Sequence, residues 1–338
     1  MPEPIKGLAF LCNYLSALAV PIAIGMHAVI PINAKEFVWK IFFKNSSCPM
    51  TFSRLSCFLF LTVLSGCNPS LKNEAPFGKS KAMGINKNKK LEEASGLAGS
   101  ARNPGYLWTH NDSGNPAELF LLDSTAATRK VFTLAEIKNR DWEDIALGPG
   151  PEENVNYLYI GDIGDNLSHY PLKYIYRTKE PSIDQTEVIR DFDKLIVKLS
   201  DDVRDSEALL SDPVSKNLYL ISKRAKSAGV YEILYPFSSD TLIAEKVCEL
   251  PLKSVNGGAI SVDGKEVLLK NYEYIYYWKK AGDESFIDLL KKPAIELPYD
   301  PEPQGEAIAW ARDGSGFYTL GENAKGERSK LFFYKRKQ

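Results

Sequence analysis

Four side chains that could bind a metal ion recur at similar spacing along the chain: Ser95, Glu143, Glu207 and Glu306. Each lies in the middle of a short motif that opens an apolar run, and a fifth copy of the motif has Gly258 there. The steps between the five positions are 48, 64, 51 and 48 residues. If these positions face one axis, three carboxylates meet, and a cation is needed to keep them all ionised. We therefore expect a metal site.

The ligand types restrict the metal. Oxygen ligands without sulfur select Ca²⁺ or Mg²⁺, and a five-membered oxygen ring suits the larger Ca²⁺. A second set of acids and amides lies two residues earlier in each motif and is expected to orient waters around the ion: Glu93, Asp141, Asp205, Asn256 and Gln304. The alternative is that these acids accept hydrogen bonds from backbone amides and hold neighbouring strands together without metal.

A period near 50 residues with strand-like content is typical of blade repeats. Each repeat contains short β-type runs separated by turns such as Asp263-Gly264. The fifth repeat has only three such runs, and residues 81–88 are expected to supply its fourth strand and so close the ring. The sequence predicts an all-β, five-bladed β-propeller over residues 81–338. A six-bladed propeller and a β-sandwich are the alternatives, and an excursion at residues 185–193 would account for the 64-residue step.

Polar residues follow the second predicted strand of each blade and should meet at one mouth of the tunnel. Three acids are predicted to position water for catalysis, and four residues to bind the substrate: Asp112, Asp162 and Asp165, then Lys223, Arg224, Lys270 and Asn166. The alternative for the Asp-containing loops is turn formation without chemistry. His110 is either a general base or a buried structural histidine.

The order Ser, Glu, Glu, small residue, Glu at the starts of five inner strands resembles the calcium-activated nucleotidases, the soluble apyrases. That resemblance implies Ca²⁺ in the tunnel of a five-bladed propeller, held by the residues at the matching positions, Ser95, Glu143, Glu207 and Glu306. It also implies a basic pair where Lys223 and Arg224 stand. Gly258 departs from the pattern, because that family has serine there, so only a backbone carbonyl or a water could fill the gap.

Three longer motifs resemble a bacterial group of secreted or lipid-anchored propellers that is placed near the phytase-like esterase propellers. They are His110-Asn-Asp-Ser-Gly114, Asp141-Trp-Glu-Asp-Ile-Ala146 and Gly161-Asp-Ile-Gly-Asp-Asn166.

The first 67 residues differ in composition from the rest. Residues 50–66 have one Arg, an apolar run and Leu-Ser-Gly before Cys67, which resembles a bacterial lipoprotein signal peptide with cleavage before Cys67 and lipid on its sulfur. Residues 1–49 are interpreted as an upstream extension from a wrongly placed start, and residues 67–80 as a tether. Asn68 after the cysteine fits an outer-membrane lipoprotein. The alternative is a short buried helix.

Composition excludes several classes of function. The chain has 338 residues, with 42 basic and 43 acidic side chains, so no basic stripe favours nucleic acid. Cys248 is the only cysteine after Cys67, which leaves neither an intrachain disulfide nor a thiolate metal site. We expect a lipid-anchored monomer that hydrolyses phosphorylated or ester small molecules with a tunnel Ca²⁺. The alternative is a non-catalytic binding or scaffold propeller, for a carbohydrate or phosphate ligand, with a structural ion.

Overall fold

The computed structural model describes residues 75–338, apart from residues 224–225 and 325–326. The predicted signal peptide, Cys67 and Arg224 lie outside the described residues. Within them, the chain forms 21 β-strands and one short helix, α1 (Phe286–Leu290). Ser285 caps α1, because its hydroxyl accepts a hydrogen bond from the backbone N–H of Asp288. No helix in the described part of the chain is long and apolar enough to cross a membrane.

The strands pair mainly with their neighbours along the chain. After the first strand, β1 (Phe77–Ile85), blade 1 comprises β2 (Ala94–Gly99), β3 (Tyr106–Asn111), β4 (Glu118–Asp123) and β5 (Thr128–Leu134). Blade 2 comprises β6 (Trp142–Pro149), β7 (Asn156–Asp162), β8 (Lys173–Lys179) and, after the two-residue β9 (Val188–Ile189), β10 (Asp193–Leu199). Within each blade, successive strands are antiparallel.

The rest of the described chain repeats this pattern. Blade 3 comprises β11 (Ser206–Ser211), β12 (Leu218–Ser222), β13 (Ala228–Ile233) and β14 (Leu242–Leu250). Blade 4 comprises β15 (Gly257–Ile260), β16 (Glu266–Lys270), β17 (Ile275–Lys279) and β18 (Ile295–Leu297). Blade 5 comprises β19 (Gly305–Trp310), β20 (Gly316–Gly321) and β21 (Lys330–Arg336), with β1 as its outer strand.

The first strands of the blades contact one another in cyclic order. Strand β2 contacts β6, β6 contacts β11, β11 contacts β15, β15 contacts β19, and β19 contacts β2. Sheets arranged radially around a ring of inner strands form a β-propeller. The prediction of an all-β propeller is therefore confirmed, and the described strands form four hydrogen-bonded sheets, one of them with eight strands.

The ring is closed by the N-terminal strand, as predicted. Strand β1 runs antiparallel to β21, with Ser80 opposite Tyr334. Phe77 is fully buried, with its ring 5.5 Å from that of Tyr277, 5.8 Å from that of Trp310 and 5.0 Å from that of Phe317. Because this strand begins at Phe77, the predicted tether ends before that residue rather than at residue 80.

Two parallel pairings account for the long step between the second and third motifs. The excursion after β8 contains β9, which pairs in parallel with β5 and adds an edge strand to blade 1. Strand β10 then pairs in parallel with β14, which joins blades 2 and 3 into one eight-stranded sheet. The extra residues therefore link neighbouring blades.

Shortening Phe77 tests the closure. Phe77→Ala removes a fully buried ring that packs on blades 4 and 5, and we expect the free energy of unfolding to fall by about 3–5 kcal/mol. Denaturant unfolding measures this. Ile85→Ala is the matched control, because Ile85 ends the same strand with 45% of its side chain exposed. Equal effects of the two substitutions would contradict the proposed role of Phe77.

Candidate metal centre

The five predicted ring positions are structurally equivalent. Each is the second residue of the inner strand of its blade: Ser95, Glu143, Glu207, Gly258 and Glu306. In blades 1, 2, 3 and 5, the pairing of the first two strands skips this position, which marks a β-bulge. In blade 4 the pairing is regular through Gly258. A β-bulge changes the direction in which a side chain points. The four ring positions that carry a side chain therefore share the same local irregularity of the sheet.

Gly258 cannot be replaced by a side chain without movement of its neighbours. A Cβ built there would lie 2.7 Å from Cδ2 of Leu269 and 3.2 Å from the carbonyl oxygen of Leu268. A side chain at this position would therefore require Leu269 to move.

A lysine ammonium lies on one side of the ring. Nζ of Lys223 is 2.7 Å from Oε2 of Glu207 and 3.6 Å from Oε1 of Glu306. The hydroxyl of Tyr272 donates to the same Glu306 oxygen at 2.5 Å. Burial alone would lower the pKa of Lys223, but Glu207 and Glu306 outweigh it and raise that pKa. Lys223, predicted to bind substrate, thus forms ion pairs with two predicted metal ligands.

On the other side of the ring, four acids gather around Glu143. Oxygens of Asp112, Asp141 and Glu143 lie within 4.8 Å of one another, and the same holds for Glu143, Asp205 and Glu207. We call these five residues the carboxylate cluster. Asp141 and Asp205, predicted to orient waters, are direct members of it. Glu306 is not in either group, because it faces Lys223 and Tyr272.

Glu143 is the member shared by both groups. Its side chain is buried, with 4% of the residue exposed, and no described residue donates a hydrogen bond to its carboxylate. Burial raises its pKa well above the usual range, and the charges of Glu207 and Asp112 add to this. Carboxylates this close to one another repel, and a cation removes that repulsion.

Two further members of the cluster show the same effect. Burial raises the pKa of Asp112 to about 6, although the backbone N–H of Ser113 donates to it. Burial also raises the pKa of Glu207 to about 8, against the opposing charge of Lys223. The donor set consists of carboxylate oxygens, which fit a hard cation such as Ca²⁺.

Ser95 connects two inner strands beside the cluster. Its hydroxyl donates to the carbonyl oxygen of Glu143 at 2.6 Å and lies 3.4 Å from Oε2 of Glu306. A metal bond from Ser95 remains a prediction.

Gly164 is a residue of this site that the sequence analysis did not single out. Its N–H donates to the carbonyl oxygen of Asp141 at 3.1 Å. A Cβ built on it would lie 2.2 Å from Oε1 of Glu143 and 2.5 Å from Cγ of Asp141. The two acids can approach the backbone here only because the residue is glycine. The available signal was a glycine between the two aspartates of Asp162-Ile-Gly-Asp165.

Two of the predicted catalytic acids hold loops. The carboxylate of Asp165 accepts the backbone N–H groups of His169 and Tyr170, each at 2.7 Å, and lies 3.3 Å from Nζ of Lys173. Its own N–H donates to Oδ1 of Asp205 at 2.7 Å, so this loop is fixed against the cluster. Asn166, beside it, is exposed.

Asp162 accepts a hydrogen bond from Arg140 through one carboxylate oxygen, and its other carboxylate oxygen is buried. Its Oδ1 accepts Nε of Arg140 at 3.0 Å, while Oδ2 has no hydrogen-bond partner among the described residues. A catalytic role for either aspartate remains a prediction.

Lys270 and His110 both lie in the interior. Lys270 is fully buried, and its ammonium donates to the carbonyl oxygen of Gly305. Burial lowers the pKa of Lys270 to about 8, with Glu302 opposing the shift. Burial also lowers the pKa of His110 to about 4, and this ring packs edge-on at 5.6 Å against Trp142. The structural alternative for His110 fits this burial.

The chain matches no family model and no curated protein. It is similar to the PQQ-bound aldose sugar dehydrogenase of Streptomyces coelicolor, with 13% identity, a TM-score of 0.44, and coverage of 78% of this chain and 100% of that one. It is also similar to a gluconolactonase of Xanthomonas campestris, with 10% identity, a TM-score of 0.43, and coverage of 76% and 89%. The Dos1 propeller has 12% identity, a TM-score of 0.34, and coverage of 71% and 68%. These values assign no activity to the chain.

Adding one methyl group to Gly164 tests the cluster geometry. Gly164→Ala forces Glu143 and Asp141 away from the backbone, and we expect Ca²⁺ affinity to fall at least about tenfold in a calorimetric titration. Gly282→Ala is the control, because no atom lies within 4 Å of a Cβ built there. Unchanged affinity in Gly164→Ala would contradict this account.

Proposed function

We propose that the protein is a calcium-dependent hydrolase that cleaves ester bonds in small molecules at the mouth beside the carboxylate cluster. The observation that supports this most is the buried carboxylate of Glu143, which has no donor among the described residues and faces four other acids. Such a donor set suits a divalent cation, which when bound polarises a carbonyl oxygen and lowers the pKa of water.

The charges around the cluster favour an uncharged ester over a phosphorylated substrate. The lysines expected to bind phosphate have other partners: Lys223 pairs with Glu207, and Lys270 is buried on the carbonyl of Gly305. A phosphate would have to approach the acids of the cluster. Neither of the two described lysines that were predicted to bind it is free to offset the repulsion. An ester carbonyl carries no such charge and avoids this repulsion.

Asp112 is the member of the cluster best placed to contact a substrate. It is half-buried, whereas Asp141, Glu143, Asp205 and Glu207 are buried. It lies directly after β3, at the rim of the mouth. In this proposal Asp112 orients water or substrate, while the deeper acids hold the ion.

A second candidate is a non-catalytic binding propeller in which the ion is structural. Hydrogen bonds between neighbouring blades at the cluster favour this second candidate. The hydroxyl of Ser95 in blade 1 bonds the backbone of Glu143 in blade 2, and a loop of blade 2 bonds Asp205 before blade 3. An ion at this position would link blades 1, 2 and 3 and raise stability without taking part in a reaction.

The location of the protein is part of the proposal. A lipid on Cys67 and the tether that follows would hold the propeller at the outer membrane of a bacterial envelope, facing the periplasm or the cell surface. This location would present the mouth to small molecules. No nucleic-acid partner is proposed, and we expect a monomer.

Calcium-dependent hydrolysis of chromogenic esters tests the proposed function. We expect the purified protein to release p-nitrophenol from p-nitrophenyl butyrate with Ca²⁺ and not after chelation, with little turnover of p-nitrophenyl phosphate. Glu143→Gln should lower this rate at least about tenfold, because it removes a charge shared by both groups of acids in the cluster.

Glu153→Gln is the control, because Glu153 is exposed on a loop of blade 2. If Ca²⁺ raises the melting temperature but no ester is cleaved, the non-catalytic candidate is correct. If Ca²⁺ changes neither property, the metal site itself is wrong.

A further inference from the structure

A cavity lies in the tunnel towards the ends of the inner strands, whereas the ring positions lie at the starts of those strands. Its volume is about 40 Å³. Apolar side chains from all five inner strands line it, among them Leu97, Ile145, Leu209, Ile260 and Trp310. A cavity of this size holds about three water-sized groups. It can therefore accept a short hydrocarbon chain.

Arg312 lies at this cavity, two residues after the end of β19. It is half-buried, and it is the one charged residue among the described residues that line the cavity. Within the described chain it forms no hydrogen bond and no ion pair. Burial lowers the pKa of Arg312, and the charge of Glu180 opposes this shift. A half-buried guanidinium without a contacting anion is unfavourable, and a bound anion would remove that cost.

Glu180 does not serve as this anion, because its carboxylate has other partners. Oε1 accepts hydrogen bonds from the hydroxyl of Ser100 at 2.5 Å and from Nε1 of Trp108 at 2.9 Å. Oε2 accepts the backbone N–H of Arg102 at 2.9 Å. The guanidinium of Arg312 is therefore available to a ligand.

Gly99 at the end of β2 gives the stem of Arg312 room to pack against blade 1. A Cβ built on Gly99 would lie 3.1 Å from Cγ and 3.3 Å from Cδ of Arg312. The arginine thus reaches from blade 5 towards blade 1 beside the cavity, and its stem is held by packing.

Ser211, the last residue of β11, is a second polar residue on the wall of the cavity. Only 6% of it is exposed, and its hydroxyl oxygen has no hydrogen-bond partner among the described residues. A buried polar atom without a protein partner indicates a bound water or ligand. Two polar side chains of this otherwise apolar cavity are therefore without a partner in the described chain.

We propose that this end of the tunnel binds a short-chain monocarboxylate, with its carboxylate on the guanidinium of Arg312 and its hydrocarbon chain in the apolar cavity. The planar fork of an arginine matches the two oxygens of a carboxylate. One arginine offsets one negative charge, which favours a monocarboxylate over a phosphate. The volume limits the chain to about three carbons beyond the carboxylate. This site is separate from the carboxylate cluster and needs no metal.

Binding of butyrate tests this inference. We expect a ligand-observed NMR titration of the full chain, with a chelator present, to show saturable binding of sodium butyrate and strong saturation transfer to its methyl group. Arg312→Gln should weaken binding at least about tenfold, because it removes the one charge at the described wall of the cavity. Arg190→Gln is the matched control, because the side chain of Arg190 is 71% exposed, and it should leave the affinity unchanged.

Two further probes separate the roles of the charge and of the cavity. Butyramide has the size of butyrate without its charge and should bind at least about tenfold more weakly. Acetate is shorter by two methylene groups and should also bind about tenfold more weakly, because it buries less apolar surface.

Each contrary result overturns the inference. They are an absence of saturable butyrate binding, unchanged affinity in Arg312→Gln, and butyramide or acetate binding as tightly as butyrate. Circular dichroism checks that the variants are folded. Arg312→Lys keeps the charge without the planar fork and should bind with intermediate affinity, and it replaces Arg312→Gln if that variant does not fold. Because the chelator is present throughout, these results are independent of the proposed hydrolase.

Discussion

Closure of the ring forces like charges together, and the rest of the site depends on this constraint. Strand β1 pairs with β21 and joins the two ends of the described chain, so the starts of five inner strands converge. Glu143, Glu207 and Glu306 stand at those starts. Their repulsion is offset on one side by Lys223, which contacts Glu207 and Glu306. On the Glu143 side, no described basic residue forms an ion pair with Asp112, Asp141 or Glu143, although the charge of Lys173 acts on Asp141, and the proposed cation would offset the remaining repulsion.

The bulges explain how regular sheets can present these side chains at the axis. Each inner strand that carries a ring side chain skips that position in its pairing, whereas the strand with Gly258 is paired regularly. A bulge thus accompanies every side chain in the ring and is missing where there is none. Gly164 acts similarly from outside the ring, since its missing side chain lets Glu143 and Asp141 approach the backbone. The site therefore depends on the β-bulges and on the glycine at position 164 as much as on the acids.

The sequence predicted the propeller, the closing strand and the equivalence of the ring positions, because a repeat period reports which backbone positions are equivalent. It did not predict the direction of each side chain. Asp141 and Asp205 were expected to orient waters but belong to the cluster, while Lys223 was expected at the mouth but pairs with Glu207. These differences arise from bulges and loop paths, which set side-chain directions and leave no periodic signal. The burial of Lys270 was also missed, because its polar neighbours in sequence suggest a surface.

The central claim is that a cation binds on the Glu143 side of the ring, with Lys223 retained on the other. A crystal structure of the protein grown with Mn²⁺, a cation with a strong anomalous signal that also prefers oxygen ligands, tests this most directly. The account predicts an anomalous peak at coordination distance from the Glu143 carboxylate, with the Lys223 ion pairs intact. A peak between Glu207 and Glu306 with Lys223 displaced, or no peak beside Glu143, would contradict it.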